Sequence, residues 1–149
     1  FFDIGHGFYR WGKLMPLHGK YRVLLVDDCV PVRITLRSVL KGYGDLQIVG
    51  EACDGRQAIE QVAAYEPDIV LMDYSMPHMN GIEATRLIKK CWEETVIIGL
   101  CTVPDPCITD GFVNAGALAV VHKDRMEHLH STIQQAFPKR ASSDSLMAT

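Results

Sequence analysis

The side chains best suited to chemistry in this sequence stand where short apolar runs end. Asp27 and Asp28 follow YRVLLV, Asp73 ends DIVLMD, and Lys123 follows LAVVH. Clustered carboxylates repel one another and need a compensating cation. Oxygen ligands with open positions for water and phosphate suit Mg²⁺, and an Asp held beside a metal and a Lys can accept a phosphoryl group. These residue types therefore indicate Mg²⁺-dependent phosphoryl chemistry if the fold brings them together.

Each of these residues also has a structural interpretation. Asp27 and Asp28 could cap the helix that follows them, since Asp is favoured at helix N-termini. Asp73 could begin a turn, and Lys123 could be a solvated loop lysine. Taken singly, these alternatives stay open, whereas four such residues at one edge are harder to explain without a function.

The elements that must position them alternate between strands and helices. β-branched apolar runs predict the strands and a helical repeat of apolar positions predicts the helices. The predicted strands are Tyr21–Val26, Gln47–Ala52, Asp68–Asp73, Val96–Cys101 and Leu118–His122. The predicted helices are Val30–Lys41, Gly55–Tyr65, Gly81–Cys91, a helix opened by Pro104-Asp105-Pro106 and ending near Asn114, and Arg125–Phe137.

This alternation predicts a doubly wound α/β fold of the flavodoxin-like (βα)5 type. Strands separated by helices of this length cannot be joined as hairpins, so the five-stranded sheet must be parallel with helices on both faces. Ligands of such sheets bind beyond the carboxyl ends of the strands. We therefore expect the strand-end residues to form the site.

Length and composition predict one globular domain. The chain has 149 residues, of which 48% are hydrophobic and 22% charged, and no apolar run approaches the length of a membrane span. Residues 1–19 show no period and are expected to be an N-terminal tail, residues 20–137 the folded domain, and residues 138–149 a Ser-rich linker or frayed tail.

Charge and cysteine usage exclude several classes of function. A net charge of −3 without a basic cluster argues against nucleic-acid binding by this chain alone. The five cysteines form no C-x-x-C pair, which argues against a zinc site or a disulfide framework and favours reduced thiols in the cytoplasm. Free cysteines of this kind are expected to be small buried apolar residues.

Four segments carry a family resemblance. VLLVDD, LMDYSMPHMNGIEA, VIIGLCT and VVHKD resemble, in order and spacing, the signature segments of response-regulator receiver domains of bacterial two-component systems. The match extends from about Tyr21 to Phe137. The Lys-Asp ending is most similar to receivers that precede helix-turn-helix DNA-binding domains, so the resemblance implies control of transcription through an effector domain that this chain does not contain.

The resemblance implies a role for each strand-end residue. Asp73 would be phosphorylated by a sensor histidine kinase or a phosphotransfer protein. Asp28, Asp73 and the backbone carbonyl of Ser75 would bind Mg²⁺, Asp27 would hold the metal through water, and Lys123 would pair with the phosphoryl group. The receiver would catalyse only its own phosphorylation and dephosphorylation, and the sequence does not decide whether it forms a homodimer.

Two positions depart from the family pattern. The Ser/Thr that responds to phosphorylation stands 22 residues before the Lys in close relatives, which is Cys101 here. Thr102 comes one residue late and, by strand alternation, points away. The aromatic switch residue three positions before the Lys is replaced by Val120. The chemistry is therefore expected to be complete and the readout altered.

Two other functions compete with a phosphorylation-controlled switch. The departures at Cys101 and Val120 favour a receiver that binds partners whatever its phosphorylation state, while the complete acidic set and Lys123 argue against it. An aspartate-nucleophile phosphatase would need a second Asp two residues after the nucleophile, where this chain has Ser75. We therefore expect a phosphoacceptor rather than an enzyme with an external substrate.

Overall fold

A computed structural model describes residues 19–137 of the chain. The strands of this part are β1 Tyr21–Val26, β2 Leu46–Ala52, β3 Ile69–Asp73, β4 Val96–Cys101 and β5 Ala119–His122. The helices are α1 Val30–Lys41, α2 Gly55–Tyr65, α3 Gly81–Cys91, α4 Pro106–Ala115, a 3₁₀ helix Lys123–His128 and α5 Leu129–Ala136. The expected tails lie outside the described residues, apart from Gly19.

The strands form one parallel sheet in the order β2-β1-β3-β4-β5. The central strands β1 and β3 are almost entirely buried, as expected for strands of a parallel sheet that is covered on both faces. One core lies under α1 and α5 and includes Leu36 and Ile133. A second lies under α2, α3 and α4 and includes Val62 and Phe112. This arrangement confirms the predicted doubly wound α/β fold.

The last predicted helix is wrong in its first turns. Residues 123–128 form a 3₁₀ helix in which Arg125 has φ −124° and ψ 44°, and the α-helix begins only at Leu129. The His122 side chain accepts a hydrogen bond from the amide of Asp124, which holds this tighter entry. Apolar spacing alone does not distinguish such a 3₁₀ turn from the start of an α-helix.

The apolar spacing predicts that Ile59, Val62 and Ala63 share one face of α2 and that Ala84, Leu87, Ile88 and Cys91 share one face of α3, and the structure differs at several of these positions. Ala63 is exposed and Ala58 is buried instead, because residues 55, 58 and 62 face the sheet. On α3, Leu87 is 38% exposed and Cys91 is exposed, whereas the polar residue Thr85 is buried. Thr85 is tolerated there because its hydroxyl donates to the Gly81 carbonyl at 2.7 Å.

The cysteines are unpaired, but the expectation that they are buried is wrong for most of them. Only Cys101 is buried; Cys53 is half-buried, and the others are exposed: Cys29, Cys91 and Cys107. They stand at helix ends and loops rather than on the inward faces. Within residues 19–137, no helix combines the length and apolar character needed to cross a bilayer.

Candidate metal centre

Asp27 and Asp28 lie directly after β1, at the carboxyl edge of the sheet. The Asp27 amide still donates to the Ala52 carbonyl at 3.0 Å, so this residue continues the strand ladder. Asp27 is 0% exposed and accepts a hydrogen bond from the Cys29 amide at 2.9 Å, whereas Asp28 is exposed. The N-cap of α1 is Cys29, without a side-chain cap. Neither Asp is therefore the helix cap considered above.

Asp73 is the last residue of β3 and is 3% exposed. The chain after it turns back sharply: the Gly81 amide donates to the Tyr74 carbonyl at 2.9 Å, and His78 adopts a positive φ of 69°. A Cβ on Gly81 would lie 2.0 Å from the Asp73 carbonyl oxygen. Only glycine therefore allows α3 to start this close to the site. Ser75 lies exposed in this loop.

Lys123 forms ion pairs with two of the acidic residues. Its Nζ lies 2.7 Å from Asp27 Oδ2 and 2.9 Å from Asp73 Oδ1, and only 14% of its side chain is exposed. It is therefore not a solvated loop lysine. One carboxylate oxygen from each of Asp27, Asp28 and Asp73 lies within 4.8 Å of the others. The structure thus brings together the four strand-end residues named from the sequence.

Burial and mutual repulsion set the protonation of this group. Burial raises the pKa of Asp73 to about 6; the hydrogen bond from Lys123 opposes this, and the charges of Asp27 and Asp28 add to it. Burial by itself lowers the pKa of Lys123, but its hydrogen bonds to Asp27 and Asp73 outweigh that effect and raise it. The ammonium therefore stays charged at neutral pH, while the carboxylates lack enough positive charge to balance them.

The donor set fits a hard divalent cation. Asp27 Oδ2 is buried, and within residues 19–137 its one polar partner is Lys123 Nζ at 2.7 Å. That oxygen has free lone-pair capacity for a metal-bound water. Carboxylates that lie this close and retain unused oxygens are the ligand chemistry that Mg²⁺ prefers.

The residues expected to transmit a signal lie beside the site. Cys101 ends β4 and is 5% exposed, whereas Thr102 is exposed, as strand alternation predicted. Burial raises the pKa of the Cys101 thiol, an effect that Lys123 opposes and Asp73 and Asp105 reinforce, so the thiol is neutral at pH 7. Val120 is half-buried on β5 against the second core.

One contact at this site has no signal in the sequence. Arg33 Nη1 donates to the backbone carbonyl of Asp27 at 2.5 Å, and Arg33 Nε lies 3.0 Å from Glu51 Oε1. Arg33 is otherwise an ordinary polar position on an amphipathic helix. Its pairing depends on β2 lying next to β1, which periodicity alone does not reveal.

Comparison with known proteins identifies relatives over most of the described part. Residues 23–134 match the family model of the response regulator receiver domain. The chain is 40% identical over 109 residues to a protein-glutamate methylesterase/protein-glutamine glutaminase of Paramagnetospirillum magneticum, covering 73% of this chain and 30% of that protein. A protein of the same name from Thermotoga maritima is 36% identical over 103 residues, covering 68% of this chain and 30% of the relative. The chain thus spans less than a third of these relatives.

Solved structures agree with this match. The response regulator domain of Thermotoga maritima CheB superposes with a TM-score of 0.74 at 31% identity, covering 78% of this chain and 96% of that one. A two-component response regulator of the LuxR family from Aurantimonas sp. SI85-9A1 superposes with a TM-score of 0.75 at 30% identity, covering 78% and 84%.

Proposed function

The chain belongs to the response regulator receiver domain family, and we propose that Asp73 accepts a phosphoryl group from a phosphohistidine. The donor would be a sensor histidine kinase or a phosphotransfer protein, in the cytoplasm. An Asp73 carboxylate oxygen attacks phosphorus, the O–P bond forms as the P–N bond breaks, and the imidazole leaves with the electron pair and takes up a proton.

The observation that carries this proposal is the placement of one cation against two buried carboxylates. Lys123 Nζ lies 2.9 Å from Asp73 Oδ1 and 2.7 Å from Asp27 Oδ2. A flexible, strongly charged lysine of this kind can pair with a phosphoryl oxygen on Asp73. The raised pKa of Asp73, about 6, leaves the carboxylate available as a nucleophile at neutral pH.

Asp28, Asp73 and the Ser75 backbone carbonyl would hold Mg²⁺, with Asp27 acting through a metal-bound water. The ion supplies positive charge that offsets the phosphoryl oxygens and the carboxylates. Asp27, whose Oδ1 is held by the Cys29 amide at 2.9 Å, keeps Oδ2 directed at the site.

We propose that phosphorylation switches an output surface near β4 and β5. Cys101 and Val120 would form part of the route to it, since both lie on the strands beside Lys123. The transcriptional output expected from the Lys-Asp ending finds no support in the curated relatives, which are named as methylesterases and glutaminases. The proposal is therefore limited to a switched surface.

A second candidate function is a receiver that binds partners without being phosphorylated. The half-buried aliphatic Val120 and the buried thiol at Cys101 favour it, because neither provides the side-chain response of the family pattern. The four-residue charge cluster argues against it.

Intact mass spectrometry with acetyl phosphate separates the two. We expect the wild type to gain the mass of one phosphoryl group with Mg²⁺ and to lose that gain with EDTA. Asp73→Asn should abolish labelling, whereas Asp110→Asn, which changes an exposed Asp on α4, should leave it unchanged. A wild type that stays unlabelled, or an Asp73→Asn variant labelled as well as wild type, would contradict phosphorylation of Asp73.

A further inference from the structure

Arg33 connects the acidic site to the edge strand of the sheet. From the first turns of α1 its guanidinium donates through Nη1 to the Asp27 carbonyl at 2.5 Å and through Nε to Glu51 Oε1 at 3.0 Å. The side chain is only 17% exposed. A planar guanidinium with donors in a fixed fork can serve two acceptors at once, which a lysine ammonium cannot do in the same geometry.

The Asp27 carbonyl, which lies directly after β1, matters because it belongs to the peptide unit between Asp27 and Asp28. The strand ladder ends one group earlier, where the Asp27 amide donates to Ala52 at 3.0 Å. A hydrogen bond to the Asp27 carbonyl therefore fixes the plane of the peptide from which Asp28 projects. Asp28 is the exposed member of the acidic cluster, so its direction depends on its backbone more than on packing.

The other end of the contact is itself anchored. Glu51 lies on β2, and its carbonyl accepts from Gln61 Nε2 at 2.5 Å. Its second carboxylate oxygen is paired with Arg37, one helical turn after Arg33. Arg37 thus pairs with Glu51 as Arg33 does, but among the described residues only Arg33 also donates to the Asp27 carbonyl.

We propose that Arg33 is a positioning residue for the metal centre. By bridging Glu51 to the Asp27 carbonyl, it orients the Asp27–Asp28 peptide so that the Asp28 carboxylate faces Asp73. This inference rests on the proposed function for its metal, but the peptide orientation itself does not require a metal.

The test compares Arg33→Lys with Arg37→Lys. Both variants keep the net charge, so a direct Coulomb effect on a cation is held constant. Without metal, Arg33→Lys should shift the ¹⁵N resonance of the Asp28 amide, which shares its peptide with the Asp27 carbonyl, and Arg37→Lys should leave it in place. On titration with MgCl₂, Arg33→Lys should weaken the affinity by about tenfold, as expected for a residue that orients a ligand, and Arg37→Lys should stay within about twofold.

Two results would overturn the inference: an unmoved Asp28 resonance in folded Arg33→Lys, or equal effects of the two variants. If Arg33→Lys does not fold, Glu51→Gln serves instead, and an unmoved Asp28 resonance in that variant is equally decisive. A wild type that binds no Mg²⁺ contradicts the proposed function; the metal-free resonance then decides the orienting role separately.

Discussion

The Lys123 ammonium lies 2.9 Å from Asp73 Oδ1, although Lys123 follows β5, which is separated from β3 by β4. Its side chain extends past the end of β4, and Nζ also lies 2.7 Å from Asp27 Oδ2. One cation thus faces two buried carboxylates, with Asp28 nearby. Burial, reinforced by this excess of negative charge, raises the pKa of Asp73 to about 6.

The raised pKa predicts a pH dependence of folding. The native state holds the Asp73 proton more tightly than the unfolded chain, whose pKa is near 3.8. The free energy of unfolding therefore loses the contribution of this group as pH rises from about 4 through about 6. Asp73→Asn has no carboxyl group to titrate at this position. The free energy of unfolding of the variant minus that of wild type should therefore increase by about 1–3 kcal/mol between pH 4 and pH 7.

Urea unfolding at pH 4, 5, 6 and 7 without metal measures this difference. Asp110→Asn is the matched control, because it changes an exposed carboxylate and should follow the wild type. Parallel stability curves for wild type and Asp73→Asn would mean that Asp73 has an ordinary pKa in the folded state.

Asp28→Ala tests the metal ligand set. Its carboxylate is one of the three that lie within 4.8 Å of one another. Loss of an orienting group beside a metal typically weakens affinity by about 10–100-fold, so loss of a direct ligand should cost at least about tenfold. Amide chemical shifts during titration with MgCl₂ report the affinity, with Asp110→Ala as control. An unchanged affinity in Asp28→Ala would remove Asp28 from the ligand set.

Cys101→Thr tests the altered readout. Burial raises the pKa of the Cys101 thiol, so a neutral thiol, a weak donor, occupies the position where the family pattern has a hydroxyl, near enough to Lys123 and Asp73 for their charges to affect it. A hydrogen bond to a charged group contributes roughly 1.5–3 kcal/mol, so a hydroxyl should strengthen the coupling by about tenfold or more. We expect beryllofluoride to shift the amides of residues 101–122 only slightly in wild type and more strongly in Cys101→Thr.

Cys107→Thr makes the same substitution at an exposed position and should behave as wild type. A full-sized wild-type response that Cys101→Thr does not change would show that the thiol is no obstacle. The switch would then run through other residues.

Gly81→Ala tests how closely α3 must approach the site. A Cβ there would lie 2.0 Å from the Asp73 carbonyl oxygen, so the loop or the strand end must move. We expect a loss of about 1–3 kcal/mol in urea unfolding and slower labelling by acetyl phosphate. Gly44→Ala, where nothing lies within 4 Å of the added Cβ, should change stability by no more than about 0.5 kcal/mol. Equal stability of the two variants would show that the approach is not tight.

Local pattern was sufficient for most of the elements. β1, β4, α1, α2 and α3 begin and end at the predicted residues, because each apolar run or helical repeat is bounded by a turn residue or a capping residue. The first turns of the last helix were predicted wrongly, since Arg125 adopts a non-helical conformation that spacing does not encode. The buried face of a helix was harder to predict than its first and last residues. On α2, Ala63 is exposed and Ala58 is buried, because packing against the sheet selects one of two adjacent apolar stripes.

The residues that reach the carboxyl edge of the sheet follow from the order of the elements along the chain, since parallel strands joined by helices must end on the same side. Asp27, Asp28, Asp73 and Lys123 were found in this way. How these four side chains meet depends on the three-dimensional packing: the strand order sets how far Lys123 must extend, and burial raises the pKa of Asp73. This packing alone brought Arg33 and Glu51 together, because a contact between residues of different elements depends on which strands are neighbours, and local periodicity carries no information about that.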